Sequence, residues 1–465
     1  MQASLSPGEF DMTDSTRFEP WIQLKYYAEA GEQQELEVFL EAIGPSEAFR
    51  ALLRLSPDER ELILTTLSPT EAADFMEEIP PEHAADFIEQ LPASNAASII
   101  SEMESAEQAD VLADMENQEA EAILAEMTPE SAAEARELIR YSDDLAGGLM
   151  VTEYLAFPET ALVSDALSGL SEWVENRPEQ DAHVYVVSPA GTLIGGIDLQ
   201  SLVLSRRSLP LSKIIKPARF VSVNFGLDEL DSMFECHQLP AVAVVDDHQK
   251  LLGILRREDL TRALQERADA DHLKSQGIVG GDEIRSMPLL IRTRRRLSWL
   301  SLNIVLNIIA ASVIALYEET LSAVIALAVF LPIVSDMSGC SGNQAVAVSM
   351  RELSLGIVKP YEAARVWLQE VKVGLINGLV LGCLIAIAAL IWKGNPYLGI
   401  VVGIALMCNT LVAVSLGGTI PLLLKRLKVD PAVASGPILT TVTDMCGFFL
   451  VLSVATIFLP QLTAM

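Results

Sequence analysis

Between residues 55 and 139 an apolar residue returns at every twelfth position: Leu55, Leu67, Ile79, Leu91, Met103, Met115, Met127 and Ile139. The stretches between them, such as LSPTEAADFMEEI (67–79) and IPPEHAADFIEQL (79–91), read as a turn followed by a short helix. Ser/Thr-Pro or Pro-Pro followed by an acid opens several of them. That order suits proline in a first helical turn and carboxylates at the positive end of a helix. A twelve-residue unit cannot bury its own apolar face, so neighbouring units must stack, and the pattern predicts an α-solenoid over residues 31–140. Residues 1–30 are read as an N-terminal extension.

The pattern then changes period. HVYVVSPAGTLIGGIDLQSL (183–202) reads as strand, turn, strand and helix start, and AVAVVDDHQKLLGILRREDL (241–260) repeats the arrangement about 58 residues later. Residues 141–260 are therefore expected to hold two small α/β modules. An amphipathic helix continues from Leu260 to Gln276, and GIVGGDEI (277–284) closes a connecting segment over 261–284. Beyond it lie five mostly apolar stretches, at 297–317, 321–342, 371–392, 397–424 and 434–459. Each is near the roughly 20 residues a helix needs to cross a bilayer, so 285–465 is read as a five-helix membrane domain.

Charge sharpens the division. The chain of 465 residues has 32 Lys+Arg against 63 Asp+Glu, net −31. From Arg285 onward there are 13 basic and 8 acidic residues, net +5; the remainder has 32 − 13 = 19 basic and 63 − 8 = 55 acidic, net −36. An anionic nucleic-acid partner is electrostatically disfavoured, and the chain is neither disordered nor an ordinary water-soluble enzyme. RTRRR (292–296) precedes the first span; Arg351, Lys359, Arg365 and Lys372 lie around the second connection, and Lys425, Arg426 and Lys428 around the fourth. All fall on one side if the N-terminus is inside and the C-terminus outside. The start, MQASLSPGEF, lacks a basic segment followed by an apolar one, so the acidic half is expected in the cytoplasm. The five cysteines form no CxxC, and no catalytic Ser–His, Cys–His, P-loop or HExxH pattern occurs.

The membrane half carries the candidate chemistry. Asp444 lies ten residues into the fifth span, about 15 Å deep at 1.5 Å per residue, with no Lys or Arg in that span. A carboxylate at such depth belongs in a bundle interior or on a water-filled path that takes cations; the plainer alternative is a protonated Asp bonded to a neighbouring helix. Asp336 puts a second acid in span two, within SDMSGCSGNQ (335–344). Carboxylates, amide carbonyls and water are the ligands of hard divalent cations, and the lack of a His/Cys cluster argues against a soft-metal site. Gly374, Gly378 and Gly382 recur at a four-residue interval, which reads as close helix packing. Pro332, Pro421 and Pro437 lie within or at the rims of spans two, four and five, where a helix break is tolerated if neighbouring helices or a wet cavity satisfy the freed carbonyls. The acids of the repeat (Glu71, Asp74, Asp86, Asp110) read as a solvated face, with a cation-responsive surface as the rival.

Two resemblances follow. The strand-turn-strand-helix units look like a pair of CBS modules, a family in which an Asp at the position of Asp259 often meets adenine-nucleotide ribose. Ser201 takes that place in the first unit. Asp259 is thus a candidate contact for ATP, beside a purely structural tandem.

The order of parts, with LAGGLM (145–150), LPIVSDMSGCSGNQ (331–344) and KVDPAVASGPILTTVTD (428–444), resembles the MgtE family of magnesium transporters and channels. The resemblance implies a homodimer in a bacterial inner membrane with a Mg2+ pore along spans two and five. It implies Asp444 as the pore carboxylate, with Gly447 and Asn343 nearby and Asp336 as an added acid. It also implies regulatory Mg2+ ions on acids of the cytoplasmic domains, among them Asp259, Asp271 and Asp430. Three features depart from the family pattern. Arg262 and Arg267 stand where acids are common, Cys340 and Gly436 where Asn is common, and Asp336 where a small residue is usual. Two other readings accompany this one: a transporter of Co2+ or Ni2+, and a membrane-anchored CBS nucleotide sensor.

Overall fold

The computed structural model describes residues 19–176, 183–281, 283, 285, 287 and 289–463. Residues 1–18 of the expected N-terminal extension and parts of 282–288 lie outside the described residues. The chain divides into two compact units, Met1–Leu264 and Gln265–Met465.

The first unit opens with ten short helices: α1 (Pro20–Ala30), α2 (Gln33–Ile43), α3 (Pro45–Leu52), α4 (Pro57–Thr66), α5 (Pro69–Glu77), α6 (Pro81–Ile88), α7 (Ala93–Glu102), α8 (Ser105–Asp114), α9 (Asn117–Glu126) and α10 (Pro129–Leu138). From α3 to α10 every helix starts twelve residues after the last, as the periodicity predicts. Proline is the first residue of α3, α4, α5, α6 and α10, and Ser56, Ser68 and Thr128 cap the orphan amides of the helices they precede. The twelfth-position residues Leu55 to Met127 close these helices and are buried. From α5 onward the helices pack chiefly on the one two places along: α5 on α7, α6 on α8, α7 on α9, α8 on α10. Helix α1, which a boundary at residue 30 leaves outside the domain, puts Leu24 and Ala28 into the same core.

Two three-stranded sheets follow. In the first, β1 (Leu155–Pro158) runs parallel to β2 (Val184–Val187), which pairs antiparallel with β3 (Leu193–Ile197). In the second, β4 (Phe220–Ser222) runs parallel to β5 (Ala241–Val245), which pairs antiparallel with β6 (Leu251–Arg256). Helices α11 (Val163–Asn176) and α12 (Leu199–Leu204) serve the first sheet, α13 (Leu227–His237) and α14 (Arg257–Ser275) the second. The hairpin tips meet through Leu193 N–Gln249 O (2.9 Å) and Leu251 N–Gly191 O (3.1 Å), which joins the modules. Helix α14 crosses the expected boundary at 260 without a break, so the connecting helix and the last module helix are one element.

In the second unit α15 (Leu289–Ala315) takes RTRRR into its first turns, ahead of the expected start at 297. A short α16 (Glu318–Ala323) leads to α17 (Leu327–Ser354), α18 (Ala363–Lys393), α19 (Pro396–Arg426), α20 (Pro431–Ile457) and a final turn, α21 (Leu459–Thr463). Among the described residues four helices are both long and apolar enough to cross a membrane, and α17 is not one of them. At 28 residues it is long enough, about 42 Å, but it carries a polar stripe. The expected second span therefore starts later and runs further than 321–342. Pro332, Pro421 and Pro437 sit inside α17, α19 and α20, which continue through them. The glycine series proves to be packing: Gly374, Gly378 and Gly382 are buried, and a Cβ on Gly378 would come 2.7 Å from the Met407 carbonyl oxygen on α19.

Candidate cation path and soluble-domain charge cluster

On α17, Asp336, Cys340 and Asn343 are spaced four and three residues apart and so share one face. On α20, Thr440, Asp444 and Phe448 form a matching stripe four residues apart. The two stripes line one recess of about 580 Å³, with Ser335 and Gly339 between them. Ser335 Oγ donates to Asp444 Oδ1, tying the carboxylate of one helix to the other. A second recess of about 770 Å³ shares Asn343 and Thr440 with the first and reaches Ser435, Gly436, Pro431 and Asp271. Oxygen-bearing side chains therefore run from Asp444 to Asp271 within this unit.

A cation with six waters needs roughly 180 Å³, taking about 30 Å³ per water. The recess at Asp444 has room for one that keeps its shell. Among the described residues no three His, Cys, Asp or Glu side chains converge to hold a bare ion. The donor set thus suits a small, strongly hydrated dication met through its waters.

The other expected site residues fall elsewhere. Gly447 is buried against α19, and a Cβ there would stand 2.7 Å from Asn409 Nδ2. Asp430 caps α20, its Oδ1 accepting from Ala432 N at 2.8 Å. Lys274 Nζ lies 3.7 Å from Asp430 and 4.0 Å from Asp271, so an ammonium already stands by the two acids. Burial, and then the charge of Asp430, raise the Asp271 carboxyl above its usual range, against Lys274.

In the first unit Asp259 is buried, and both of its carboxylate oxygens accept from Arg256, at 2.8 and 2.9 Å. Burial would lower the Arg256 guanidinium, but hydrogen bonds to Asp259 and Glu104 hold its pKa above the ordinary value. Arg256 grips Glu104 at 2.5 and 3.0 Å, and Arg262 reaches Glu107 at 2.5 Å. Thr152 N donates to Ser105 Oγ at 2.8 Å, and the Ser105 hydroxyl donates to Glu153 at 2.8 Å. These contacts dock the helical repeat on the α/β pair. They border a cavity of about 1520 Å³ with ten acidic and two basic side chains in its wall. Glu77, in that wall, is pushed up to about 7, first by burial and then by Glu104, Glu107 and Asp74, while the Glu104 amide it accepts from opposes the shift.

The sequence reading brought out Asp444 and Asp336 as acids within apolar spans, and Asn343 through the family resemblance. It missed Ser335, Arg256 and Asn409, whose partners lie 109, 152 and 34 positions away. Only a polar residue amid the apolar run of α19 could have marked Asn409.

Known proteins bear on these features. A sequence profile described as "Divalent cation transporter" matches residues 331–454, one described as "MgtE intracellular N domain" matches 43–144, and a CBS domain profile matches 213–266. A protein of Enterococcus faecalis named magnesium transporter MgtE is 33% identical over 71% of this chain and 72% of its own length. A protein of the same name from Thermus thermophilus is 31% identical over 71% of this chain and 74% of its own. Among solved structures, the soluble part of a magnesium transporter covers 54% of this chain and 98% of its own, at 24% identity and a TM-score of 0.48. The cytosolic domain of the Mg2+ channel MgtE in complex with ATP covers 52% and 99%, at 26% identity and a TM-score of 0.46.

Proposed function

This chain belongs to the MgtE family of magnesium transporters, and from that premise we propose that Mg2+ passes along the α17–α20 face with Asp444 as its ion-binding carboxylate. A transporter of this family is not an enzyme, and nothing in the reading requires a chemical step. The observation that carries the proposal is the pairing of two polar stripes, Asp336–Cys340–Asn343 and Thr440–Asp444, around one recess between long helices. Asp336, Cys340 and Asn343 are exposed on α17. Carboxylates facing lipid are costly, so this face needs a cover. A second copy of the chain would supply one, and the proposal includes a homodimer in a bacterial inner membrane with the acidic domains in the cytoplasm.

We further propose that cytoplasmic Mg2+ gates the path. The acid-lined cavity in the first unit, ten carboxyl groups against two guanidinium groups, supports cation binding there. Asp259 does not fit that role, because Arg256 engages both of its oxygens, and for the same reason no nucleotide is assigned to it. Asp271 and Asp430 fit only if a dication competes with Lys274.

Growth of a bacterial strain lacking Mg2+ uptake tests the reading. Wild type should restore growth in low Mg2+, and Asp444→Ala at equal membrane abundance should not; equal rescue by both removes Asp444 from the path.

A further inference from the structure

Asn409 lines neither recess, yet its side chain reaches the turn of α20 that bears Asp444. It is fully buried on α19, and its Nδ2 donates to the Thr443 carbonyl oxygen at 3.1 Å. That carbonyl belongs to the peptide group joining Thr443 to Asp444. Gly447, one turn on, leaves the space, since a Cβ there would come 2.7 Å from the same Nδ2. The amide's orientation follows from its partner: turned over, Oδ1 would face a carbonyl oxygen.

The arrangement is poor value as a source of stability. Asn409 Oδ1 is buried with no hydrogen-bond partner among the described residues. Burying an acceptor without a partner costs about as much as one good bond contributes. Leucine, with the same branched heavy-atom skeleton, would lose the bond but also the orphaned acceptor, and it suits the interior of a membrane bundle. What the amide adds is a fixed point on the backbone of α20, at the residue before the carboxylate that Ser335 of α17 contacts.

We infer that Asn409 is a positioning residue for cation transport: it holds the α20 backbone at Thr443 so that the Asp444 carboxylate meets the ion at a fixed place. The inference rests on the reading of Asp444 as the ion-binding group. Outer groups that orient a metal-binding side chain change affinity by about 10–100-fold.

The test is Mg2+ influx into vesicles holding the full-length protein, measured against external Mg2+ for wild type, Asn409→Leu, Asn409→Asp and Asp444→Ala. Thermal unfolding of each is followed in parallel. Asn409→Leu should raise half-saturating Mg2+ on the order of tenfold while melting no lower than wild type. Asn409→Asp supplies a second readout. Its protonated carboxyl can donate to the Thr443 carbonyl as the amide does, and its ionised form cannot. Its half-saturation relative to wild type should therefore fall toward one as the pH is lowered from about 8 to about 6. Wild-type half-saturation in Asn409→Leu, or a pH-independent ratio in Asn409→Asp, overturns the inference. If Asn409→Leu does not fold, the pH ratio decides alone. Wild-type influx by Asp444→Ala would instead remove the premise, whatever the Asn409 variants do.

Discussion

An exposed glutamate titrates near 4.5, but Glu77 is pushed up to about 7 by burial against other acids. The folded state therefore binds this proton more tightly than the unfolded state. The stability the proton contributes is fully present below about 4.5 and is lost as the pH rises through about 7. Glu77→Gln keeps an oxygen to accept from the Glu104 amide and carries no charge. It should stabilise the protein by about 1–3 kcal/mol at pH 8 and narrow the difference between acid and alkaline melting, as read by thermal unfolding across pH. This scale is also where sequence reading reached least far. Asp444 and Asp336 were legible because a carboxylate in an apolar run is expensive and so conspicuous. Ser335 and Asn409 are ordinary residues whose meaning depends on which helix lies opposite. Arg256 was hidden differently: nothing in GILRRED indicates that its guanidinium closes on Glu104, 152 positions back.

Elements were easier to read, because periodicity acts through local geometry. The twelve-residue spacing from Leu55 matches every helix start from Pro57 to Pro129, and proline opens four of these helices, three of them behind a capping hydroxyl. The membrane helices were found but their ends were not. A basic run does not stop a helix, so α15 takes in RTRRR, and polar residues along one face do not stop α17. Close approach of helices explains glycines that composition alone leaves ambiguous. A Cβ on Gly417 would lie 2.2 Å from the Gly342 carbonyl oxygen of α17, whereas one on Gly436 meets nothing within 4 Å. Gly417→Ala should therefore push α19 from α17 and lower stability by about 1–3 kcal/mol. Gly436→Ala should melt with wild type. Thermal unfolding in detergent compares the two.

For the whole molecule, the −36 half and the +5 half announce a soluble body and a membrane body before any helix is placed. What charge totals do not convey is how the acids are neutralised. Arg262 lies 2.5 Å from Glu107, so the helical repeat is joined to the α/β pair by a cation the chain itself carries. Arg262→Glu puts two acids face to face. Docking should then depend on added Mg2+, with amide exchange at Ser105 and Thr152 fast in chelator and slowed by millimolar Mg2+, while wild type stays protected in both. Wild-type protection lost in chelator would show that the arginines do not suffice. The proposed route of Mg2+ across the membrane is the face bearing Asp444. Its most direct test is Mg2+ entry into Mg2+-free vesicles containing a trapped indicator, for wild type and Asp444→Ala, with Co2+ and Ni2+ in parallel. Rapid Mg2+ entry is expected with wild type, and loss of it with Asp444→Ala. Equal entry with both, or silence to all three ions from folded protein, would contradict it.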